Sequence, residues 1–311
     1  MSTPPPPGPP LSETASVENP DDRPLTGILM MVGAMFLVPV MDGIAKHLSA
    51  DYGTLQVVWA RYFFHFVFLL PFVLWRYGRA AFAPSRPVMQ VLRGGLLLAS
   101  TALFFAAIAR MPLADAISLV FVYPMVVTLL SALILREAVG PRRWTAVIVG
   151  FLGALIVIRP GLGVIGGGGL LALAAGSGYA LYILATRKLA GSAPPLVTLA
   201  FTALLGCVVT SLAVPFAWIT PDATDLAWMA AMGLIAAAGH FLIIRSFEYA
   251  SASLLAPYGY SEIIMATIIG FFVFGDFPDA WSWLGIAVIV ASGLYISVRE
   301  RALLKARRNT A

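Results

Sequence analysis

Ten almost wholly apolar blocks alternate with short connections along the chain: residues 26–48, 54–75, 88–109, 113–135, 143–159, 168–189, 195–218, 226–248, 252–274 and 280–298. Each is about 20 residues long, the length at which a helix rising 1.5 Å per residue crosses a hydrocarbon core of about 30 Å. The pattern predicts an all-α membrane protein with ten transmembrane helices, which puts both termini on the same side.

Composition agrees: the 311 residues are 60% hydrophobic and 11% charged, with mean hydropathy +0.89. A soluble domain of this length carries roughly twice that charged fraction. The net charge of +5 does not indicate nucleic acid, because the basic residues sit at block edges rather than on one face. Fourteen of the twenty Lys and Arg fall on the side that holds the N-terminus. Three (Lys46, Arg110, Arg159) fall opposite and three (Arg61, Arg93, Arg245) lie within blocks. The excess places both termini in the cytoplasm. Most of the seven Trp lie near block ends, as interfacial anchors do. The one cysteine, Cys207, lies inside an apolar block and reads as a small core residue, so no disulfide framework or Cys/His metal pattern exists to be read. Residues 1–24 are proline-rich without an apolar stretch and are expected to be a disordered tail. Residues 300–311 form a basic cytoplasmic tail.

The chain also repeats itself. "GILMMVGAMFLVPVMDGIAK" (27–46) has its counterpart in "GLLALAAGSGYALYILATRK" (169–188), and "PFVLW" (71–75) in "PFAW" (215–218). "LREAVGPRRW" (135–144) matches "FGDFPDAWSW" (274–283), aligning Glu137 with Asp276 and Trp144 with Trp283. Residues 25–160 and 169–299 are thus two five-helix repeats. Because five is odd, the second enters the membrane with opposite orientation to the first, the inverted arrangement of many secondary transporters. "GVIGGGGLL" (163–171) has no preceding strand and no Lys-Ser/Thr ending, so it is no phosphate loop. Residues 161–168 are expected to be a flexible link.

"HFLIIRSFEYASASLLAPYGYSEIIMA" (240–266) and "GFFVFGDFPDAWSWLGIAVIVASGLYISVRE" (270–300) resemble the last three helices of EamA-type carriers in the drug/metabolite transporter superfamily. The resemblance runs from about residue 26 to 300. It implies ten helices in two inverted repeats, a cytoplasmic-membrane location and movement of small organic solutes. Similar carriers are associated with riboflavin or S-adenosylmethionine uptake.

A charge at the bilayer centre costs about 2.5–3.5 kcal/mol on insertion scales, so ionisable groups inside spans usually face a cavity or a partner. Asp42 and Arg61 fall at nearly equal depth on the first two spans, either as a structural salt bridge or as a charged wall of a substrate cavity where Arg61 offers a planar fork. His65 lies one turn beyond Arg61, as a proton relay or a packing histidine. His240 stands deep in the eighth span, while Arg245 and Glu248 toward its end read as an interfacial pair. Glu262 falls near the centre of the ninth span, one turn after Tyr258 and close to Pro257. Tyr123 and Pro124 occupy a comparable depth in the fourth span, the ninth span's partner. Two proline-interrupted helices would bracket the pseudo-two-fold axis. Glu262 is the candidate for solute binding or proton coupling, or else it bonds a neighbouring helix.

Asp42, Arg61, His65, Tyr123, His240, Tyr258, Tyr260 and Glu262 are therefore the candidate substrate-binding or coupling residues. The expected function is alternating-access transport of a small metabolite by a monomer, with no cofactor, metal or catalytic residue. An enzyme would need acids or histidines clustered at one interface, whereas Asp42, His65, His240 and Glu262 are spread over depth and chain. Tyr123, Tyr258 and Tyr260 suggest a flat-ring solute, riboflavin taken up from outside. S-adenosylmethionine uptake and amino-acid-like or drug-like solute export are the alternatives.

Overall fold

The computed structural model describes residues 24–78, 81, 86–134, 139–159, 166–189, 193–250 and 252–310. The tail before Pro24, Glu137, most of the predicted link (161–165) and the basic side chains after Arg299 lie outside the described residues. The helices are α1 (Pro24–Leu48), α2 (Thr54–Tyr77), α3 (Pro87–Ile108), α4 (Leu113–Val120), α5 (Tyr123–Ile134), α6 (Pro141–Ile158), α7 (Gly166–Lys188), α8 (Pro195–Ala213), α9 (Ala223–Tyr249), α10 (Ala252–Gly259), α11 (Ser261–Phe274) and α12 (Ala280–Thr310). A short 3-10 turn, Val214–Ala217, extends α8.

Among the described residues ten segments are long and apolar enough to cross a membrane, and every boundary falls within three residues of the hydropathy pattern. Large apolar side chains such as Trp75, Leu212 and Phe272 remain on the outside of the bundle, an arrangement suited to a hydrocarbon surrounding rather than to water. Gly166–Gly168, predicted as the end of the link, instead form the first turn of α7. Gly168 packs so close to Met111 that a Cβ there would lie 3.2 Å from it. Tertiary packing has overridden a poor helix propensity.

Two spans are broken, and they are repeat partners. The fourth is α4 and α5 separated by Phe121 and Val122, and the ninth is α10 and α11 separated by Tyr260. Pro124 has no N–H to give to the carbonyl of Val120, and the chain tightens to i→i+3 bonds, Val122 N to Leu119 O at 3.2 Å and Met125 N to Val122 O at 3.0 Å. In the ninth span Tyr260 N bonds Pro257 O at 3.3 Å and Ile263 N bonds Tyr260 O at 3.2 Å. The Ser261 hydroxyl donates to Tyr258 O at 2.6 Å, competing with the helix ladder.

The packing has the expected two-fold form. α1 lies on α9 as α7 lies on α3, α2 on α9 as α8 on α3, and α1 on α11 as α7 on α4 and α5. The equivalents α2 and α8, and α6 and α12, pack on each other. The repeats are therefore interleaved rather than side by side. At the α6–α12 crossing Gly153 faces Gly285: a Cβ on Gly285 would sit 2.7 Å from Gly153 O, and one on Gly153 would sit 3.1 Å from Gly285 O. Small residues let the backbones meet here. Gly95 on α3, by contrast, faces open space.

Candidate functional site

The two breaks meet at the middle of the bundle. The rings of Phe121 and Tyr260 lie 4.7 Å apart, and from Phe121 a chain of aromatic contacts runs to Tyr123 (6.1 Å), Tyr179 (5.1 Å further) and Tyr182 (5.4 Å further). Tyr260 fits because Gly293 on α12 has no side chain; a Cβ there would collide with the Tyr260 hydroxyl. Tyr258 does not join this series. Its ring packs against the separate cluster of Met31, Met35 and Leu255, because the break at Tyr260 removes the regular one-turn relation between Tyr258 and Glu262.

The charged candidates converge on the same region. Asp42 on α1 lies in the field of Arg61 on α2, and Glu262 in the first turn of α11 lies in the field of Asp42. Glu262 in turn acts on Tyr123 and Tyr179. His65 on α2 faces His240 on α9, ring centroids 5.5 Å apart, and both feel Arg61. The expectation that these groups are dispersed is corrected. Residues far apart in sequence are gathered because α1, α2, α9 and α11 pack across the repeats.

Hydrogen bonding separates these groups into two kinds. Arg93 on α3, which the sequence marked only as lying within a span, is engaged through all three of its nitrogens. Its Nε donates to Thr186 Oγ1 at 2.7 Å, its Nη1 to Thr202 Oγ1 at 2.7 Å and Thr198 O at 3.3 Å, and its Nη2 to Tyr182 OH at 2.7 Å. Arg61 is just as buried, both being 5% exposed, yet no guanidinium nitrogen of Arg61 finds a protein acceptor among the described residues. Its Nε is fully enclosed without one, and the Tyr62 ring, 4.8 Å away, is its one close cationic contact. Both ring nitrogens of His65 are likewise enclosed and unbonded. His240 Nδ1 lies 2.8 Å from Ala236 O, and since a carbonyl only accepts, Nδ1 carries the proton. Asp42 and Arg61 form no direct ion pair, and neither the Asp42 nor the Glu262 carboxylate receives a protein hydrogen bond among the described residues. Arg245, by contrast, pairs with Glu248 and also reaches Tyr249 OH, as the sequence suggested for that helix end.

The missed members of the site are Arg93, Tyr179 and Tyr182. An in-span arginine and two tyrosines one turn apart on α7 were visible in the chain. What was not visible was that α3 packs on α7.

The end of the bundle bearing the 49–53 connection is fastened across the repeats. Lys46 Nζ donates to Asp276 Oδ2 at 3.0 Å and Met111 O at 2.8 Å. Arg159 grips both oxygens of Asp279 at 2.7 and 3.1 Å, Tyr52 OH donates to Asp225 at 2.7 Å, and Gln56 exchanges two hydrogen bonds with Ile219. A bidentate guanidinium grip is the most directional of these. Outside the spans, the backbone N–H of Ser282 and the fork of Arg159 hold the Asp279 carboxyl below its ordinary pKa. The bond to Asp225 pushes the Tyr52 phenol up to about 12.

Ten apolar spans in two inverted halves, enclosing a polar centre at their two broken helices, define a polytopic membrane protein of transporter type. The EamA-like transporter family matches the chain twice, over residues 25–159 and 166–298, and the chain belongs to that family. It is 27% identical over 286 residues to an S-adenosylmethionine uptake transporter of Rickettsia prowazekii, covering 92% of this chain and 97% of that one. It is 28% identical over 294 residues to a riboflavin transporter of Vibrio cholerae (93% and 98% covered) and 29% over 282 residues to the pseudopaline exporter CntI of Pseudomonas aeruginosa (88% and 96%). A protein of known crystal structure superposes with TM-score 0.63 at 18% identity, over 90% of this chain and 99% of that chain, a likeness of fold.

Proposed function

We propose that this transporter takes up S-adenosylmethionine or a close analogue across the inner membrane by alternating access, with both termini in the cytoplasm. The reading rests on one observation. At mid-membrane Asp42, Glu262 and Arg61 have no hydrogen-bonding partner among the described residues, while Arg93 on the neighbouring helix α3 makes four bonds. A buried charge left without a partner costs several kcal/mol, so a group kept that way serves something that is not protein. S-adenosylmethionine brings two cationic centres, the amine and the sulfonium, for the two carboxylates, one carboxylate for a guanidinium, and a flat adenine ring for the Phe121–Tyr260–Tyr123–Tyr179 series. The relatives named for S-adenosylmethionine uptake support the same choice.

Riboflavin remains the second reading, favoured by the aromatic series and by relatives named riboflavin transporters. As a neutral solute it offers the carboxylates no charge. Transport of labelled S-adenosylmethionine and labelled riboflavin into cells expressing the protein, each against an empty-vector control, decides between them. The expected result is S-adenosylmethionine accumulation that falls at least about tenfold in Glu262→Gln, one charge-assisted contact being about 1.5–3 kcal/mol. S-adenosylmethionine uptake no greater than the control overturns the first reading, and riboflavin accumulation selects the second. If Glu262 also exchanges a proton during the cycle, its Gln variant loses the pH dependence of uptake as well as its rate. A Glu262→Gln protein with wild-type uptake at every pH removes Glu262 from both roles.

A further inference from the structure

We propose that Arg61 and His65, walled by His240, form a subsite that receives the carboxylate of the transported solute. The proposal rests on the reading of this centre as a solute site and adds which groups take the anionic end.

Arg61 and His65 are one turn apart on α2 and so project from the same face. Both are buried, 5% and 2% exposed. Arg61 Nε and both His65 ring nitrogens are enclosed without a partner. An enclosed donor without a partner is costly in a native structure, and here the cost falls on two neighbouring side chains of one face. The rest of the guanidinium makes no protein hydrogen bond among the described residues, so its fork is free to take both oxygens of a carboxylate in the bidentate geometry that arginine suits. A neutral imidazole carries one N–H, and His65 can add it as a third donor. His240 cannot add a fourth from Nδ1, which is committed to Ala236 O. Its ring packs 5.5 Å from that of His65 and so walls the subsite on the α9 side.

The other charges in reach are consistent with this polarity. Asp42 acts on Arg61 through space without a hydrogen bond, which offsets part of the cost of a buried cation and leaves the fork open. Glu262, across Asp42, makes the opposite end of the centre acidic. Arg93, whose field reaches His240, spends four of its five N–H donors on Thr186, Thr198, Thr202 and Tyr182, which leaves it no open fork for a carboxylate. An anion therefore meets an available donor set at Arg61 and His65 and repulsion at Asp42 and Glu262. A solute bound this way lies with its carboxylate toward the α2–α9 contact and its cationic or neutral end toward α11.

The test compares pairs of probes that differ only by a carboxylate: S-adenosylmethionine with decarboxylated S-adenosylmethionine, and phenylalanine with phenethylamine. Binding is measured calorimetrically on the full-length protein in lipid nanodiscs. The expected wild-type result is at least about tenfold tighter binding of the acid in one pair. In Arg61→Lys, which keeps the charge beside Asp42 but loses the fork, and in His65→Gln, the ratio collapses toward one. Should Arg61→Lys fail to fold, as judged by its elution and melting, His65→Gln carries the test. A ratio that stays at its wild-type value in both variants, or a wild type with no preference for the acid in either pair, overturns the subsite. Discrimination within the phenylalanine pair without S-adenosylmethionine binding keeps the subsite and removes the proposed solute. S-adenosylmethionine binding that ignores the carboxylate does the reverse, and binding of none of the four probes removes both.

Discussion

Replacing Gly285 by alanine tests the interleaved packing at the place where the two repeats cross. The added methyl would lie 2.5 Å from Val157 Cγ2, 2.7 Å from Gly153 O and 3.1 Å from Val157 N. Two of these three neighbours are backbone atoms of α6, so no rotamer change makes room, and α6 and α12 must move apart. Overpacking of this kind costs about 1–3 kcal/mol. At about 2 °C per kcal/mol for a chain of this size, the melting temperature falls by about 2–6 °C. Gly95→Ala is the matched control, because nothing lies within 4 Å of its new methyl. It gains about 0.5–1 kcal/mol of helix preference over glycine and melts about 1–2 °C higher than the wild type. Intrinsic tryptophan fluorescence of the detergent-solubilised protein follows both transitions. A Gly285→Ala protein that melts at or above Gly95→Ala would refute the close crossing, since helix preference alone would then account for both variants.

Two further outcomes follow from the polar contacts. Arg93→Lys keeps a charge but loses most of the bonds to Thr186, Thr198, Thr202 and Tyr182, at a cost of about 2–3 kcal/mol, whereas Arg61→Lys loses no protein hydrogen bond and melts within about 2 °C of the wild type. Equal melting of the two variants would contradict the division between an engaged and an unengaged arginine. The depressed Asp279 carboxyl contributes stability that is present above its unfolded pKa of roughly 3.9 and is lost as pH falls through its lower folded value. Melting measured between neutral pH and about pH 3 should therefore fall less steeply in Asp279→Asn than in the wild type, and parallel curves would show that the grip of Ser282 and Arg159 contributes nothing. Its side chain is half exposed, so the effect is a small one, screened further by salt.

The spans, the repeat and the two interrupted helices were legible because each is a local property of the chain: hydropathy over about twenty residues, a matching segment, a proline. Glu262 and Asp42 stood out for the same reason, as charges in apolar runs. Arg93 stood out equally, yet nothing in the chain shows that all three of its nitrogens are bonded while those of Arg61 are not. That difference depends on Thr186, Thr198, Thr202 and Tyr182 arriving from α7 and α8. Tyr258 was set one turn before Glu262 on a span already read as interrupted near Pro257, but the break at Tyr260 falls between the two and turns Tyr258 toward the Met31 cluster. Tyr179 was passed over because a tyrosine in an apolar span is unremarkable until its neighbours are known. Local signals survive in one dimension, and the partner of a polar group on another helix does not.

The repeat also explains why the site lies where it does. With Glu137 aligned on Asp276, Glu262 is the counterpart of Tyr123; with Gly27 aligned on Gly169, Asp42 is the counterpart of Leu184. The frame is nearly two-fold, while the charges are not. Inverted halves that pack through the same pairs of helices have two arrangements of similar energy, since each half can adopt the other's shape. Under the proposed alternating access, groups at the axis keep their neighbours in both arrangements, whereas the fastenings at one end, such as Lys46 to Asp276, hold in only one. An acid placed on one half at the axis and a phenol on the other thus gives a solute the same polarity to bind against in either arrangement. The proposed exchange of shapes then changes the access to the candidate site without changing its chemistry. This division requires that removing the Lys46–Asp276 bond alter the balance of the two arrangements and not the selectivity among solutes, while Glu262 and Arg61 do the opposite.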